Sequence, residues 1–340
     1  MTTAVHAARS VARHRNVWRW ARPALAAATL AVLVWRLGTG PFLDGLRTVD
    51  GATLAAAATL GALTTVCCAW RWRTVARGLG VDLPLGAAVA AYYRSLFLNV
   101  TLPGGVVGDV HRGISHGRDT RDVGRGLRAV AWERSAGQVV QVVLTVAVLL
   151  VMPSPVRSAM PFVALALLAA AGAFALAALV RPAVARWRWA RLRGAVARDL
   201  RDGLLAGRAW PAIALASAVV VAGHAVTFLI AARTAGASAS LSRMLPLALL
   251  VLLAAALPNV GGWGPREGVT AWAFAAAGLG ASRGVATAVV YGVMVFAASL
   301  PGAAVLVTAW ARRAWSAPRL ERPLPRAPGM LAPRDGAADV

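Results

Sequence analysis

Apolar residues gather along this chain in long blocks, and six of them are long enough to cross roughly 30 Å of hydrocarbon. They run from Val17 to Leu37, Gly51 to Trp70, Ala129 to Met152, Pro161 to Val180, Ala209 to Ala232 and Gly284 to Trp310. Two further blocks, Leu85 to Leu98 and Met244 to Leu257, have 14 residues each and run into proline and glycine. Such lengths fall short of a span and predict re-entrant segments. The predicted fold class is an all-α polytopic membrane protein with about six spanning helices and two re-entrant hairpins.

Composition supports the bilayer as solvent. Of 340 residues, 59% are apolar and 14% charged. A soluble domain of this length needs more polar surface, and a disordered chain lacks the apolar content. All 36 basic residues are arginine, against 13 acidic ones, for a net charge of +23. In a soluble protein that excess would suggest nucleic acid; here it is read as a topology signal, with no nucleic-acid partner. Twenty-seven arginines lie in the first 22 residues, 71–82, 109–128, 181–208 and beyond 311, against six in the connections 36–50, 152–160, 233–243 and 282–283. The bias predicts an inner (plasma) membrane protein with both termini in the cytoplasm. Arg94, Arg134 and Arg266 belong to neither set. Tryptophans cluster at span ends, Trp72 among them, as interfacial rings do; Trp263 and Trp272 are the exceptions.

The charge bias closes only if both short blocks return to the side they entered from. The chain then reads as two halves of one plan, about 17–152 and 161–310, each a span, a span, a hairpin and a span. Three spans per half give the halves opposite orientation, an inverted repeat of the kind found in transporters. Residues 1–16 are expected to be a basic cytoplasmic N-terminus and 312–340 a proline- and arginine-rich disordered tail.

The two hairpin tips resemble each other. The first reads Asn99, Val100, Thr101, Leu102, Pro103, Gly104, Gly105, Val106, Val107, Gly108, Asp109, Val110, His111, Arg112. The second reads Leu257, Pro258, Asn259, Val260, Gly261, Gly262, Trp263, Gly264, Pro265, Arg266, Glu267, Gly268. Each has Leu-Pro, a glycine pair, a further glycine, then an acid and an arginine. Proline breaks the helix, glycines reach backbone angles closed to other residues, and the freed amides can hold an anion. A paired break in corresponding positions points to a transport site; two tight turns with surface charges are the plainer reading.

Glu133 and Arg134 fall near the start of the third block. They are either an interfacial ion pair with both heads in water or intramembrane groups facing a cavity or each other. His224, midway along its span, is either a hydrogen-bonded packing residue or a proton relay. Asp109, His111 and His116 make a weak metal pattern, and no metal or cofactor is assigned. Cys67 and Cys68 read as small buried hydrophobes.

The run from Tyr92 through Arg112, the Glu133-Arg134-x-x-Gly137 that follows, and the Leu257–Gly268 run resemble the integral membrane region of the lysylphosphatidylglycerol synthase family, also called multiple peptide resistance factors. The likeness extends in order and spacing over roughly residues 15 to 312, with Val107 at a position where the family usually has glycine. The resemblance implies lipid handling by a flippase-like membrane region, and the cytosolic aminoacyltransferase domain of full-length members is not expected here. No Walker motif, serine elbow or glycosidase-like carboxylate pair occurs, so the chain is not expected to be an enzyme. The expected ligand is an anionic phospholipid or lipid-linked headgroup bound between the hairpins. Arg112 and Arg266 would hold its phosphate, Asp109 and Glu267 would balance those charges in the empty state or contact a cationic substituent on the lipid, and Glu133 and Arg134 would form a cytoplasmic gate. Asn99, Pro103, Gly104, Gly105, Pro258, Gly261 and Gly262 would shape the loops around it. The alternative is a non-catalytic membrane partner of a separate glycosyltransferase or lipid-modifying enzyme.

Overall fold

The computed structural model describes residues 31–102, 105–179, 194–204, 209–256 and 263–316. Among these the chain is helical, without a β-strand. A helical stretch at 31–37 leads into α1 (Gly40–Arg47), which has a proline in its first turn. Four helices follow: α2 (Gly51–Gly78), α3 (Leu85–Thr101), α4 (Val107–Asp119) and α5 (Val123–Val151). A single 3-10 turn, Arg157–Ala159, precedes α6 (Met160–Leu179). A π-helical turn at Leu200–Leu204 comes before α7 (Ala209–Thr234), α8 (Leu241–Ala255), α9 (Pro265–Ala276) and α10 (Ala281–Ser316).

Local chemistry sets several of these ends. Asp50 caps α2 by accepting the Thr53 amide at 2.8 Å, and Asp122 caps α5 by accepting the Arg125 amide at 2.8 Å. Each supplies an acceptor to a donor that the first turn leaves unpaired. The chain leaves α2 through Gly80, at φ +75°, where the left-handed backbone favours glycine.

By length and composition α2, α5, α7 and the Ala281–Arg312 part of α10 can each cross a membrane. The expected span at Pro161–Val180 coincides with α6, whose Phe162, Leu165 and Leu168 are at least 66% exposed. Apolar exposure of that extent suits a helix facing lipid. The first expected span lies outside the described residues up to position 30, and its remainder, 31–37, is helical. α10 runs to Ser316, four residues past the expected start of the tail. Two boundaries differ in a way that matters below. α2 continues eight residues beyond Trp70, because no glycine or proline interrupts it before Gly78, and α5 starts six residues before Ala129.

The helix pattern occurs twice. α2 to α5 have 28, 17, 13 and 29 residues, and α7 to α10 have 26, 15, 12 and 36. α2 packs on α3 and α5 as α7 packs on α8 and α10; α4 lies on α3 and α5 as α9 lies on α8 and α10. Across the halves, α3 meets α10 as α8 meets α5, while α2 and α7 meet each other. Thr53 Oγ1 is 3.3 Å from Thr234 Oγ1, a Cβ on Gly223 would fall 2.5 Å from Thr64 Cγ2, and Arg71 Nη1 donates to Ser217 Oγ at 2.9 Å. Residue numbers rise along α2 as they fall along α7, so these equivalent helices run antiparallel.

Backbones approach closely where glycine permits. A Cβ on Gly108 would sit 2.0 Å from the Ser95 carbonyl, and one on Gly302 would sit 2.1 Å from the Tyr93 carbonyl. α3 is thereby held against α4 on one side and α10 on the other, as small residues allow at helix contacts in membranes.

Candidate functional site

The interior of the first half holds five charged groups from three helices: Arg71 on α2, Asp109 and Arg112 on α4, Glu133 and Arg134 on α5. Glu133 is at the centre, with a fully buried side chain. Its Oε1 accepts Arg71 Nε at 3.1 Å and forms an ion pair with Arg71 Nη2, and Oε2 accepts Arg112 Nη2 at 3.0 Å. Tyr92 OH also donates to Oε1, at 3.3 Å. Asp109 is equally engaged: Ser95 Oγ donates at 3.1 Å, Asn99 Nδ2 at 3.0 Å and Arg112 Nη2 at 2.9 Å, and Arg134 completes its coordination as an ion pair. Burying charge at membrane depth requires partners of this density.

Arg112 is enclosed. Its guanidinium carbon lies 4.4 Å from the Trp72 ring centroid and 4.2 Å from that of Tyr92, and its Nε and Nη1 have no hydrogen-bond partner. Stacking on ring faces takes the place of hydrogen bonds for those two groups. Trp72 in turn meets His116 edge-on at 5.3 Å. Gly137 makes room for the neighbouring cation, since a Cβ there would lie 2.8 Å from Arg71 Nη2.

The second half holds a smaller pair. Glu267 lies in the first turn of α9, where its Oε2 accepts the Gly264 amide at 2.6 Å and its Oε1 accepts Arg266 Nε at 2.9 Å. The Arg266 guanidinium carbon is 5.3 Å from the Tyr291 ring centroid and 5.8 Å from that of Trp263. Tyr291 OH reaches His224 Nδ1 at 3.4 Å.

A cavity of about 240 Å³ lies between the halves. Arg71, Tyr92, Arg134, Gln138 and Gln141 line it from the first half, and Ser217, His224 and Tyr291 from the second. Arg134 is the exposed member of the charge cluster, at 42% of its side chain, while Arg71, Asp109, Arg112 and Glu133 are at 10% or below. Three guanidinium groups against two carboxylates leave the cluster one positive charge in excess.

Several sequence-based expectations change at this point. Glu133 and Arg134 do not pair with each other: Glu133 turns to Arg71 and Arg112, and Arg134 to Asp109. Nor does the Glu133 head reach water, because its side chain is fully buried among Arg71, Arg112 and Tyr92. Arg112 is sealed between aromatic rings, away from the cavity wall. Trp72 belongs to the buried cluster, not to an interfacial belt. Of the loop residues, Asn99 does more than shape the turn, since its side chain accepts the Gly108 amide at 2.8 Å while donating to Asp109. Gly105 takes φ +65°. Pro103, Gly104, Pro258, Gly261 and Gly262 lie outside the described residues. Among those described, no three histidine, cysteine or acidic side chains gather as a metal site.

Sequence reasoning missed Arg71, counted with the loop arginines because the apolar block ends at Trp70. The absence of any helix breaker between Trp70 and Gly78 was the available signal. It also passed over Gln138, Gln141, Ser217 and Tyr291, uncharged groups that leave their apolar blocks long enough to span a membrane.

A family model described as the lysylphosphatidylglycerol synthase TM region matches residues 19–302. The chain belongs to that family. The match takes in α2 to α9 and α10 as far as Gly302, so both charge clusters and the whole cavity wall lie inside the lysylphosphatidylglycerol synthase TM region. It is accordingly a multi-pass membrane protein of a lipid-related family. A comparison with curated proteins found no match.

Proposed function

We propose that this protein is a lipid transporter that takes an anionic phospholipid or lipid-linked headgroup into the cavity between its halves and passes it from one leaflet to the other. The observation that carries the reading is Arg134: a cation with 42% of its side chain exposed, on the wall of a cavity to which both halves contribute, backed by a cluster with an unbalanced positive charge. Arginine suits a phosphate oxygen pair through its planar fork of donors. Arg134 holds the phosphate, and Asp109 balances it in the empty state. Glu133 anchors Arg71 and Arg112 behind it. Arg266 and Glu267 brace the start of α9 behind Tyr291.

Topology supports this reading. The doubled helix pattern and the antiparallel pairing of α2 with α7 suit an inverted repeat, in which substrate sites fall at the repeat interface. α3 and α4 rise about 26 and 20 Å at 1.5 Å per residue, short of the hydrocarbon thickness, as re-entrant segments do; α8 and α9 are their counterparts. Removing the interior Arg71 and Arg112 from the cytoplasmic count leaves the arginine bias intact, and that bias supports an inner-membrane orientation with both termini in the cytoplasm. The reaction is movement, not catalysis.

Reconstituted in liposomes, the purified protein is expected to speed the passage of tail-labelled anionic phospholipid between leaflets. A rate equal to that of protein-free liposomes would overturn the proposal. That result together with co-purification of a glycosyltransferase or lipid-modifying enzyme would assign an accessory role instead.

A further inference from the structure

The charge inventory says more about which headgroup fits. Of the thirteen acidic residues in the chain, four lie on α4, α5 and α9: Asp119 at the last residue of α4 and, each paired with arginine, the three groups Asp109, Glu133 and Glu267. None of the three lines the cavity, and each is already engaged by arginine. A headgroup cation entering here meets no free carboxylate.

It meets no aromatic cage either. The two tyrosines on the wall, Tyr92 and Tyr291, each already carry a guanidinium, from Arg112 at 4.2 Å and Arg266 at 5.3 Å. Arg71 also reaches the wall, but its guanidinium is committed to Glu133 and Ser217; beyond the two arginines the polar groups on offer are neutral amides and hydroxyls. Gln138 and Gln141 follow Arg134 at spacings of four and three residues, one face of α5, with Ser217 on α7. Amide and hydroxyl groups both donate and accept, which suits alcohols, whereas an ammonium without a counter-charge at membrane depth is strongly disfavoured.

Resting on the transport reading above, we infer that the cavity selects a lipid with a single phosphodiester charge and an uncharged, hydroxyl-bearing headgroup, and rejects the same lipid once an amino acid has been esterified to it. Arg134 holds the phosphodiester, and Gln138 and Gln141 hold the hydroxyls. The selectivity is opposite to what the family's description would suggest for an aminoacylated lipid.

The test measures binding of tail-labelled phosphatidylglycerol, its lysyl ester and phosphatidylcholine to the purified full-length protein in detergent. Phosphatidylglycerol should bind at least about tenfold tighter than either of the others, because all three share the phosphodiester and only the other two bring in a cation with no counter-charge. Arg134→Gln should weaken binding of all three lipids, since each presents the same phosphodiester. Gln138→Glu, which leaves the Asp109 pair in place and sets a carboxylate one turn from Arg134, should reverse it in favour of the lysyl ester. Equal affinity for phosphatidylglycerol and its lysyl ester, or a Gln138→Glu protein with unchanged order, would overturn the inference. Millimolar glycerol 3-phosphate should fail to displace the lipid; displacement would mean a free-phosphate site instead. Selective binding without movement in liposomes would sink the transport proposal alone, and movement of both lipids at one rate would sink this inference alone.

Discussion

Glu133→Gln removes one charge and almost no volume from the centre of the first cluster. The wild-type carboxylate accepts two donors from Arg71, one from Arg112 and one from Tyr92, with no solvent exposure. A glutamine keeps one acceptor oxygen and turns an amide donor toward a guanidinium, and the cluster rises from one to two excess positive charges. Removing one partner of a buried ion pair costs about 3–5 kcal/mol, and the loss of charged hydrogen bonds alone accounts for about 1.5–3 kcal/mol each. The expected destabilisation is therefore about 3–5 kcal/mol, read as a shift in the unfolding midpoint in lipid nanodiscs or mild detergent. Combining it with Arg112→Met, which restores the original charge excess in an aromatic-walled site, should cost less than the sum of the single changes, with a coupling of about 1–3 kcal/mol. A Glu133→Gln loss under about 1 kcal/mol, or strict additivity with Arg112→Met, would refute the buried-cluster account.

Other consequences are equally specific. Gly108→Ala should destabilise by about 1–3 kcal/mol or prevent folding, because its Cβ would overlap the Ser95 carbonyl; a melt in detergent reads it. Arg266→Ala should lower stability by about 3–5 kcal/mol through the buried Glu267 carboxylate it strands, and Arg266→Ala with Glu267→Gln should recover part of the loss. Asp50 predicts a pH effect. Hydrogen bonds from the Thr53 hydroxyl and amide hold its carboxyl below the usual carboxylate range, so the cap contributes fully above that range and fades as pH falls through the lowered value. Asp50→Asn, an equally good neutral cap, should flatten that part of the stability profile against pH.

The fold class and the placement of the two charged tips were legible because hydropathy and helix breakers act locally. Long apolar blocks locate α2, α5, α6, α7 and α10, and the Pro-Gly runs locate the breaks before α4 and α9. Which arginine faces which acid was not legible, because it depends on helix rotation and on where a helix truly ends. Arg71 looked like a loop arginine, and Arg112, counted among the cytoplasmic arginines, was also expected to meet the lipid; both are interior and paired with Glu133. Arg112 and Arg134 thus exchange the roles their sequence positions suggested: the one beside the glycine-rich tip is enclosed, and the one inside an apolar block faces the cavity. The cavity itself joins residues some 150 positions apart, Gln138 with Tyr291, and no short motif encodes that meeting.

The central claim is that an anionic headgroup enters between the halves against Arg134, and photo-cross-linking tests it most directly. A phosphatidylglycerol probe with a photoreactive headgroup would be activated on the full-length protein in nanodiscs, and the adducts mapped by mass spectrometry. α5 supplies its own control, since Gln138 and Gln141 line the cavity while Val139 and Val143 on the same helix are at least 60% exposed on its outer face. The account predicts adducts on Gln138 and Gln141 that disappear in Arg134→Gln. Adducts confined to Val139, Val143 and other outward positions, unchanged by Arg134→Gln, would contradict it.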